Sequence, residues 1–390
     1  MRKSKKILLA VLAFFLLAGL GGLGGLYLYI SNFAGTPSNQ ALGQEPRYFY
    51  MLVERGASFD KVANDLYREG AISSVDKFKL LGRLRGTSSQ IKAGEFEFNT
   101  AWTPEQVLDQ LVNGRALLHR ITIPEGLPWW EVARLLEEKG FARAEDFAEL
   151  VRDQRLLQRY GIPFATAEGF LYPETYMLNK GRVPTKAHAQ SAMQTMVQTF
   201  WSKTAHLWNG AGGAPGLEGA PGSGGSGGVD VGASGTVVAS FVPRYARENP
   251  EEVKRLVILA SLVEKESAVA DERPRVAGVY SNRLRIRMPL QCDPTIIYGL
   301  GPSFKGPILR SQLLDSSNVY NTYRFYGLPP GPICSPGLGA IQAAFNPERN
   351  DFLYFVATGY SDGRHTFSRT LREHNAAVEK YRAVLRSQQK

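Results

Sequence analysis

From Ile7 to Ile30 the chain runs for 24 residues without a charge. Arg2, Lys3, Lys5 and Lys6 precede this run, with no acid among them. About 20 apolar residues suffice to cross a bilayer, whereas the core of a cleaved signal is usually only ~7–15 long. The run is too long for a cleaved signal, and the SNFAG that follows is a poor cleavage site. The sequence therefore predicts a single transmembrane helix over 7–30 behind a basic cytoplasmic tail, 1–6. Positive charge stays on the cytoplasmic side. The rest of the chain is then expected beyond the inner (cytoplasmic) membrane, in the periplasmic or extracytoplasmic space.

The remaining 360 or so residues are enough for a sizeable core in more than one domain. The fold class predicted is α+β. Residues 31–46 read as a polar linker. Residues 47–118 read as a small module, strand–helix–helix–strand, followed by a helix over TPEQVLDQLVNG. Thr103, Pro104 and Gln106 are its start signals and Gly114 its stop. Residues 119–385 read as the larger mixed α/β domain. It is interrupted over 209–235 by a Gly-, Pro- and Ser-rich stretch that cannot bury a core and is expected to be a disordered loop.

The net charge of +10 is spread among acids, without a Lys/Arg block of the nucleic-acid type. The chain has no HExxH and no CxxC, so no metal motif is present and no cofactor is called for. Cys292 and Cys334 are compatible either with a disulfide in an oxidising compartment or with two buried thiols. Ser74-Val75-Asp76-Lys77 matches the SxxK of penicillin-binding acyltransferases, but no KTG accompanies it.

Chemistry concentrates in NPEEVKRLVILASLVEKESAVADERPRV. Asn249, Pro250 and Glu252 predict a capped helix start, and the helix is expected to run to about Asp271. At about 100° per residue, Lys254, Ser261 and Lys265 form the one polar strip. Glu264 and Glu266 both fall outside it, among apolar neighbours. A carboxyl so placed tends to stay protonated, as a general acid must, unless an arginine such as Arg273, Arg275 or Arg283 pairs with it. The wheel does not choose between the two. Upstream, AEGFLYPETYML sets Phe170, Tyr172 and Tyr176 around Glu168 and Glu174. This mixture suits sugar rings and equally suits a half-buried strand and turn.

LASLVEKESAVADERPRVAGVYSNRLRIRMPLQCDPTIIYGLG strongly resembles the YceG-like family of endolytic murein transglycosylases. The likeness continues through YNTYRFYGLPPGPICSPG, FLYFVATGYSDGRHTFS and EHN, and includes EGFLYPETY. Residues 47–118 are similar to a LysM-like peptidoglycan-binding module. The resemblance implies cleavage of the β-1,4 bond between N-acetylmuramic acid and N-acetylglucosamine within nascent glycan strands. It leaves 1,6-anhydro ends and limits strand length. It puts the catalytic glutamate on Glu266, with Glu264 a supporting acid. Substrate contacts are expected among Glu168, Tyr172, Glu174, Asn282, Arg283, Gln291, Asp293, Asn321 and Tyr323. Peptidoglycan strands, the membrane and penicillin-binding proteins or other glycan polymerases are the partners implied, and nucleic acid is not. Two alternatives stay open: a non-catalytic glycan-binding scaffold, and a water-using muramidase with Asp293 or Glu264 as second carboxylate.

Overall fold

The computed structural model describes residues 24–25, 27–54, 56–180, 183–210, 229–231 and 237–388. Among them no helix is long and apolar enough to cross a membrane. Most of the anticipated span, through residue 23, lies outside the described residues. The chain divides into two compact units, one taking the residues up to His119 with Asn179–Val183, the other the remainder.

In the first unit, β1 (Tyr48–Val53) pairs antiparallel with β2 (Gly94–Asn99), Tyr48 opposite Asn99 and Val53 opposite Gly94. Helices α1 (Phe59–Arg68) and α2 (Val75–Leu84) lie between them in sequence. Phe96 and Phe98 of β2, Val62 and Leu66 one helical turn apart on α1, and Phe78 and Leu81 on α2 meet in this unit's core. Ser74 is the N-cap of α2, its hydroxyl accepting from the Lys77 N–H. A capping role thus accounts for the SxxK match. Helix α3 (Pro104–Asn113) starts with the anticipated capping box and ends at Gly114. The linker expectation needs correction. Residues 27–35 are helical, and Ile30, Phe33 and Ala34 belong to this unit's core, because they present an apolar face that a free tether would leave in water.

The second unit is a mixture of helices and two-stranded sheets around its own core. Along the chain after α3 come β3 (His119–Thr122), α4 (Trp129–Glu138), α5 (Ala144–Leu150), β4 (Thr175–Leu178) and α6 (Lys186–Gly210). Its axis is α7 (Pro250–Glu266), in which every residue from Leu256 to Val263 is buried. A helix apolar on all sides must be surrounded. It packs against α8 (Arg273–Arg285) and α10 (Leu338–Phe345). Gly169 allows a close crossing here. It adopts φ 85°, and a Cβ would come within 2.7 Å of both Pro332 and Val257. Helix α9 (Asp293–Leu300) follows α8. A hairpin of β5 (Tyr354–Ala357) and β6 (His365–Ser368) leads into the last helix, α11 (Leu371–Gln388).

Three details differ from the sequence expectation. Helix α7 stops at Glu266 rather than near Asp271: Ser267 is extended, and its side chain bonds the Val269 carbonyl. A short 3-10 turn, Ala270–Glu272, then leads to α8. The Asn249 side chain turns back to the Tyr245 carbonyl instead of capping α7. Ser261 is fully buried, because its hydroxyl bonds the Ile258 carbonyl and accepts from the Ile333 N–H. The polar strip therefore does not mark a wet face. Of the Gly-rich stretch, 211–228 and 232–236 lie outside the described residues. Val229–Val231 pairs with Val237–Ala239.

Candidate active site

The end of α7 separates the two glutamates. Glu264 points at a cation and a backbone donor: its carboxylate meets the Arg273 guanidinium at 3.3 Å and accepts from the Gly337 N–H at 2.9 Å. Its side chain is 6% exposed and that of Arg273 13%. Burial raises its pKa, while Gly337 and Arg273 oppose that rise. A Cβ at Gly337 would meet the half-exposed Glu125 carboxylate, which would have to move aside.

Glu266 closes the same helix with a different set of neighbours. Its partners are uncharged, the Cys292 thiol and the Tyr280 hydroxyl. Burial is the main cause holding its carboxyl above the ordinary range. Those two hydrogen bonds pull it down, the Asp293 charge pushes it up, and His365 pulls it down. The carboxyl is almost wholly desolvated, while the residue as a whole keeps some exposed surface. Glu266 is thus a desolvated carboxyl without a cation bound to it, on a residue that still reaches the surface, and such a group can hold a proton and give it away.

Each neighbour is placed by local structure. Tyr280 sits on the buried face of α8, edge-on to Phe355 at 6.0 Å. Burial raises its pKa strongly, so it stays a hydroxyl donor. Cys292 caps α9, and Gln291 before it adopts φ 50°, the left-handed region that a side chain enters at a cost. That sharp corner is locked by the Cys292 N–H to Thr322 Oγ1 at 2.9 Å and by Thr295 Oγ1 to the Cys292 carbonyl at 2.6 Å. Asp293 follows, exposed, accepting from the Tyr323 hydroxyl at 2.6 Å. Burial and the bonded Asp293 both raise the Tyr323 pKa.

Of the residues anticipated from sequence, Glu266, Asp293 and Tyr323 come together, with exposed Gln291 at the corner beside them. Several others are committed to the fold. The Asn321 amide donates to the carbonyls of Gln312, Leu313 and Asp315 and is fully buried. Asn282 donates to Asn350 and Phe352. Arg283 is buried and spends its guanidinium on the carbonyls of Leu353, Pro289 and Leu290. Glu174 pairs with Lys203 at 2.9 Å. Phe170, Tyr172 and Tyr176 are core residues, which leaves their faces unavailable for stacking on a sugar.

Glu168 is 1% exposed and accepts from the Trp129 N–H at 3.0 Å and from Gly169. Its carboxyl is pushed up to about 8, chiefly by burial. Trp129, Tyr298 and Gly169 hydrogen bonds and Lys265 oppose that rise. Its place is structural. Cys292 and Cys334 are both free and buried. Sequence reasoning missed Tyr280 and the pair His365–Glu272. Glu272, Tyr280 and His365 lie 6, 14 and 99 positions from Glu266 along the chain, in no pattern that periodicity can detect. The only signal was that both fall inside the quoted family-like segments.

The match to the YceG-like family model covers residues 51–380. The chain belongs to the YceG-like family. Among curated proteins, this YceG-like chain is 26% identical over 348 residues to a Bacillus subtilis protein named endolytic murein transglycosylase, covering 84% of this chain and 83% of that one. A Streptococcus pneumoniae protein of the same name is 23% identical over 408 residues. That match covers 97% of this chain, which spans 65% of the pneumococcal protein. A crystal structure of a YceG-like protein from Listeria monocytogenes matches 84% of the chain and 98% of its own, at 24% identity and a TM-score of 0.49.

Proposed function

We propose that the protein is a peptidoglycan lytic transglycosylase. It cuts the β-1,4 bond between N-acetylmuramic acid and N-acetylglucosamine inside a strand and leaves a 1,6-anhydro end. The observation that carries this reading is the setting of Glu266: desolvated, on a partly exposed residue, and hydrogen-bonded to the neutral Cys292 and Tyr280. The names of the Bacillus and pneumococcal relatives agree with it.

The reaction needs one carboxyl acting twice. Glu266 gives its proton to the glycosidic oxygen as the bond from the muramoyl C1 breaks, releasing the 4-hydroxyl of N-acetylglucosamine. The C6 hydroxyl of the same muramoyl ring attacks C1 and passes its proton to the Glu266 carboxylate. The carboxyl is regenerated, and no water is consumed. Raising the carboxyl's pKa favours the first half. The hydrogen bonds from Tyr280 and Cys292 steady the carboxylate for the second. Asp293, exposed beside Glu266, supplies negative charge for an oxocarbenium-like transition state.

That same Asp293 supports a second reading, a water-using muramidase in which it serves as the second carboxylate. Mass spectrometry of products from uncrosslinked glycan strands separates the two. Anhydro ends from the purified full-length protein, lost in Glu266→Gln and kept in Glu264→Gln, support the transglycosylase. Reducing ends would support the muramidase, and glycan binding without cleavage would leave a scaffold.

The setting of the activity is part of the proposal. The uncharged run 7–30 anchors the chain in the cytoplasmic membrane with the enzyme outside. The first unit acts as a LysM-like peptidoglycan-binding module. Cutting nascent strands beside glycan polymerases, penicillin-binding proteins among them, limits strand length. Protease protection of the N-terminal tail in sealed inverted and right-side-out vesicles tests the topology.

A further inference from the structure

The helix over 27–35 has an open side that the packing of the first unit does not explain. Ile30, Phe33 and Ala34, within one turn of each other, are covered by that unit's core. On the open side the residues change character just as quickly. Tyr27, Leu28 and Tyr29 are 72%, 68% and 54% exposed, whereas Ser31 and Asn32, also exposed, are polar. Three consecutive large apolar side chains in water form a patch that a partner normally covers.

The chain before this helix indicates the partner's chemistry. Counted from Ile7, the ~20 apolar residues that cross a bilayer are complete before Tyr27. Tyr27 and Tyr29 then fall where the hydrocarbon ends, the level that tyrosine favours, and Ser31 and Asn32 fall where water begins. Ile30 belongs both to the uncharged run and to the core of the first unit, so no free chain separates the two. The stretch that follows is held as well. Ser38 is fully buried, the Asn39 N–H donates to the Thr100 carbonyl at 3.0 Å, and the Gln44 N–H donates to the Asn39 carbonyl at 2.9 Å.

Helix α2 is pinned at the same level. The Lys77 ammonium lies 4.2 Å from the centre of the Tyr29 ring and 5.9 Å from that of Phe33. Among the described residues it has no carboxylate partner. A lysine beside a tyrosine at the edge of the hydrocarbon lays its stem along the rings and puts its charge among lipid phosphates.

We infer that the first unit is seated directly on the outer face of the membrane, with Tyr27, Leu28 and Tyr29 in the headgroup zone and Lys77 against lipid phosphates. This rests on the membrane anchor proposed above. The helix is a rigid mount in place of a tether, so the first unit keeps one height and one orientation relative to the lipid.

Spin-label depth measurements test the seat on the full-length protein in vesicles of phosphatidylethanolamine and phosphatidylglycerol. Nitroxides are placed at Leu28→Cys and at Asp76→Cys, the exposed neighbour of Lys77. Cys292 and Cys334 are buried and stay unlabelled. A nickel chelate carried on a lipid headgroup should relax the label at position 76 strongly, and oxygen dissolved in the lipid should relax the label at position 28. In Phe33→Asp, which expels the helix from the core, the relaxation at 76 should be lost while the label at 28 keeps its depth. If that variant fails to fold, the reading at 76 without it decides alone. A label at 76 reached only by soluble nickel chelate, with the label at 28 in lipid, overturns the seat and leaves the anchor standing. A label at 28 found in water removes the anchor and the seat with it. Spin–spin broadening between labels at 28 in place of lipid contact would show that a second copy covers the patch, which also overturns the inference.

Discussion

The second unit contains two desolvated acid centres that look alike by burial and differ in everything else. Around Glu168 the protein closes completely. Two backbone N–H groups and the Tyr298 hydroxyl take up the carboxyl, and it ties the start of the helix Trp129–Glu138 to α9. Glu266 as a residue stays partly exposed, and its donors are two neutral side chains carried by α8 and the corner before α9. Both carboxyls are raised, but only Glu266 lies on a partly exposed residue with an exposed acid, Asp293, beside it. A raised pKa marks desolvation; access is what makes the proton useful.

The largest expected effect falls at the open centre. Glu266→Gln should lower the cleavage rate by about 10⁴-fold, the upper range for removing a general acid and base. The unfolding midpoint should hardly move, because Gln keeps the shape and the donors stay occupied. Substantial residual turnover, followed by product release from labelled strands, would erase the distinction between the two centres.

The closed centre should dominate pH-dependent stability. The folded Glu168 carboxyl keeps its proton to about pH 8, whereas its ordinary value is 4.5. The contribution is therefore complete below pH 4.5 and is lost as pH rises towards 8, by up to about 5 kcal/mol. Urea denaturation across that window should show wild type losing stability relative to Glu168→Gln. Parallel curves would mean that the site is not desolvated as described.

Glu264 sharpens the contrast from between the two. Arg273→Ala leaves a buried carboxylate without its cation and should cost about 3 kcal/mol in chemical unfolding. Glu264→Gln should be milder, with cleavage near the wild-type rate. A rate loss matching that of Glu266→Gln would reverse the roles of the two residues. The smallest effect is expected at Cys292→Ser, which keeps a donor on Glu266 and fills nearly the same volume. It should shift the pH profile of cleavage slightly and cost less than about 1.5 kcal/mol. Loss of folding there would show that the thiol's packing, rather than its hydrogen bond, is what matters.

Much of the local structure was legible because its causes are local. Thr103, Pro104 and Gln106 start α3 where expected, since a cap satisfies donors within three residues of itself. The alternation in GEFEFN makes a strand that puts Phe96 and Phe98 in the core, although Glu95 and Asn99 of the other parity are buried as well. Where a competing partner came from farther away, the local rule failed. Asn249 bonds Tyr245 instead of capping, and Ser261 is buried by Ile333, 72 positions downstream. The aromatic cluster at 170–176 went into the core because hydrophobic burial outweighs any surface role that composition suggests.

By itself the sequence determined that a helix would carry two carboxylates in apolar surroundings, and that the chain is of the YceG-like kind. The first follows from 3.6-residue periodicity and the second from long, specific motifs. Only the tertiary structure decided which carboxyl is free. A helical wheel gives a direction for each side chain but not what waits there. Arg273 and Gly337 wait for Glu264, and Tyr280 and Cys292 for Glu266. Those partners arrive through the packing of α8, α9 and the loop before α10 around α7. A charge within about 4 Å in a low dielectric outweighs any preference encoded in the helix alone.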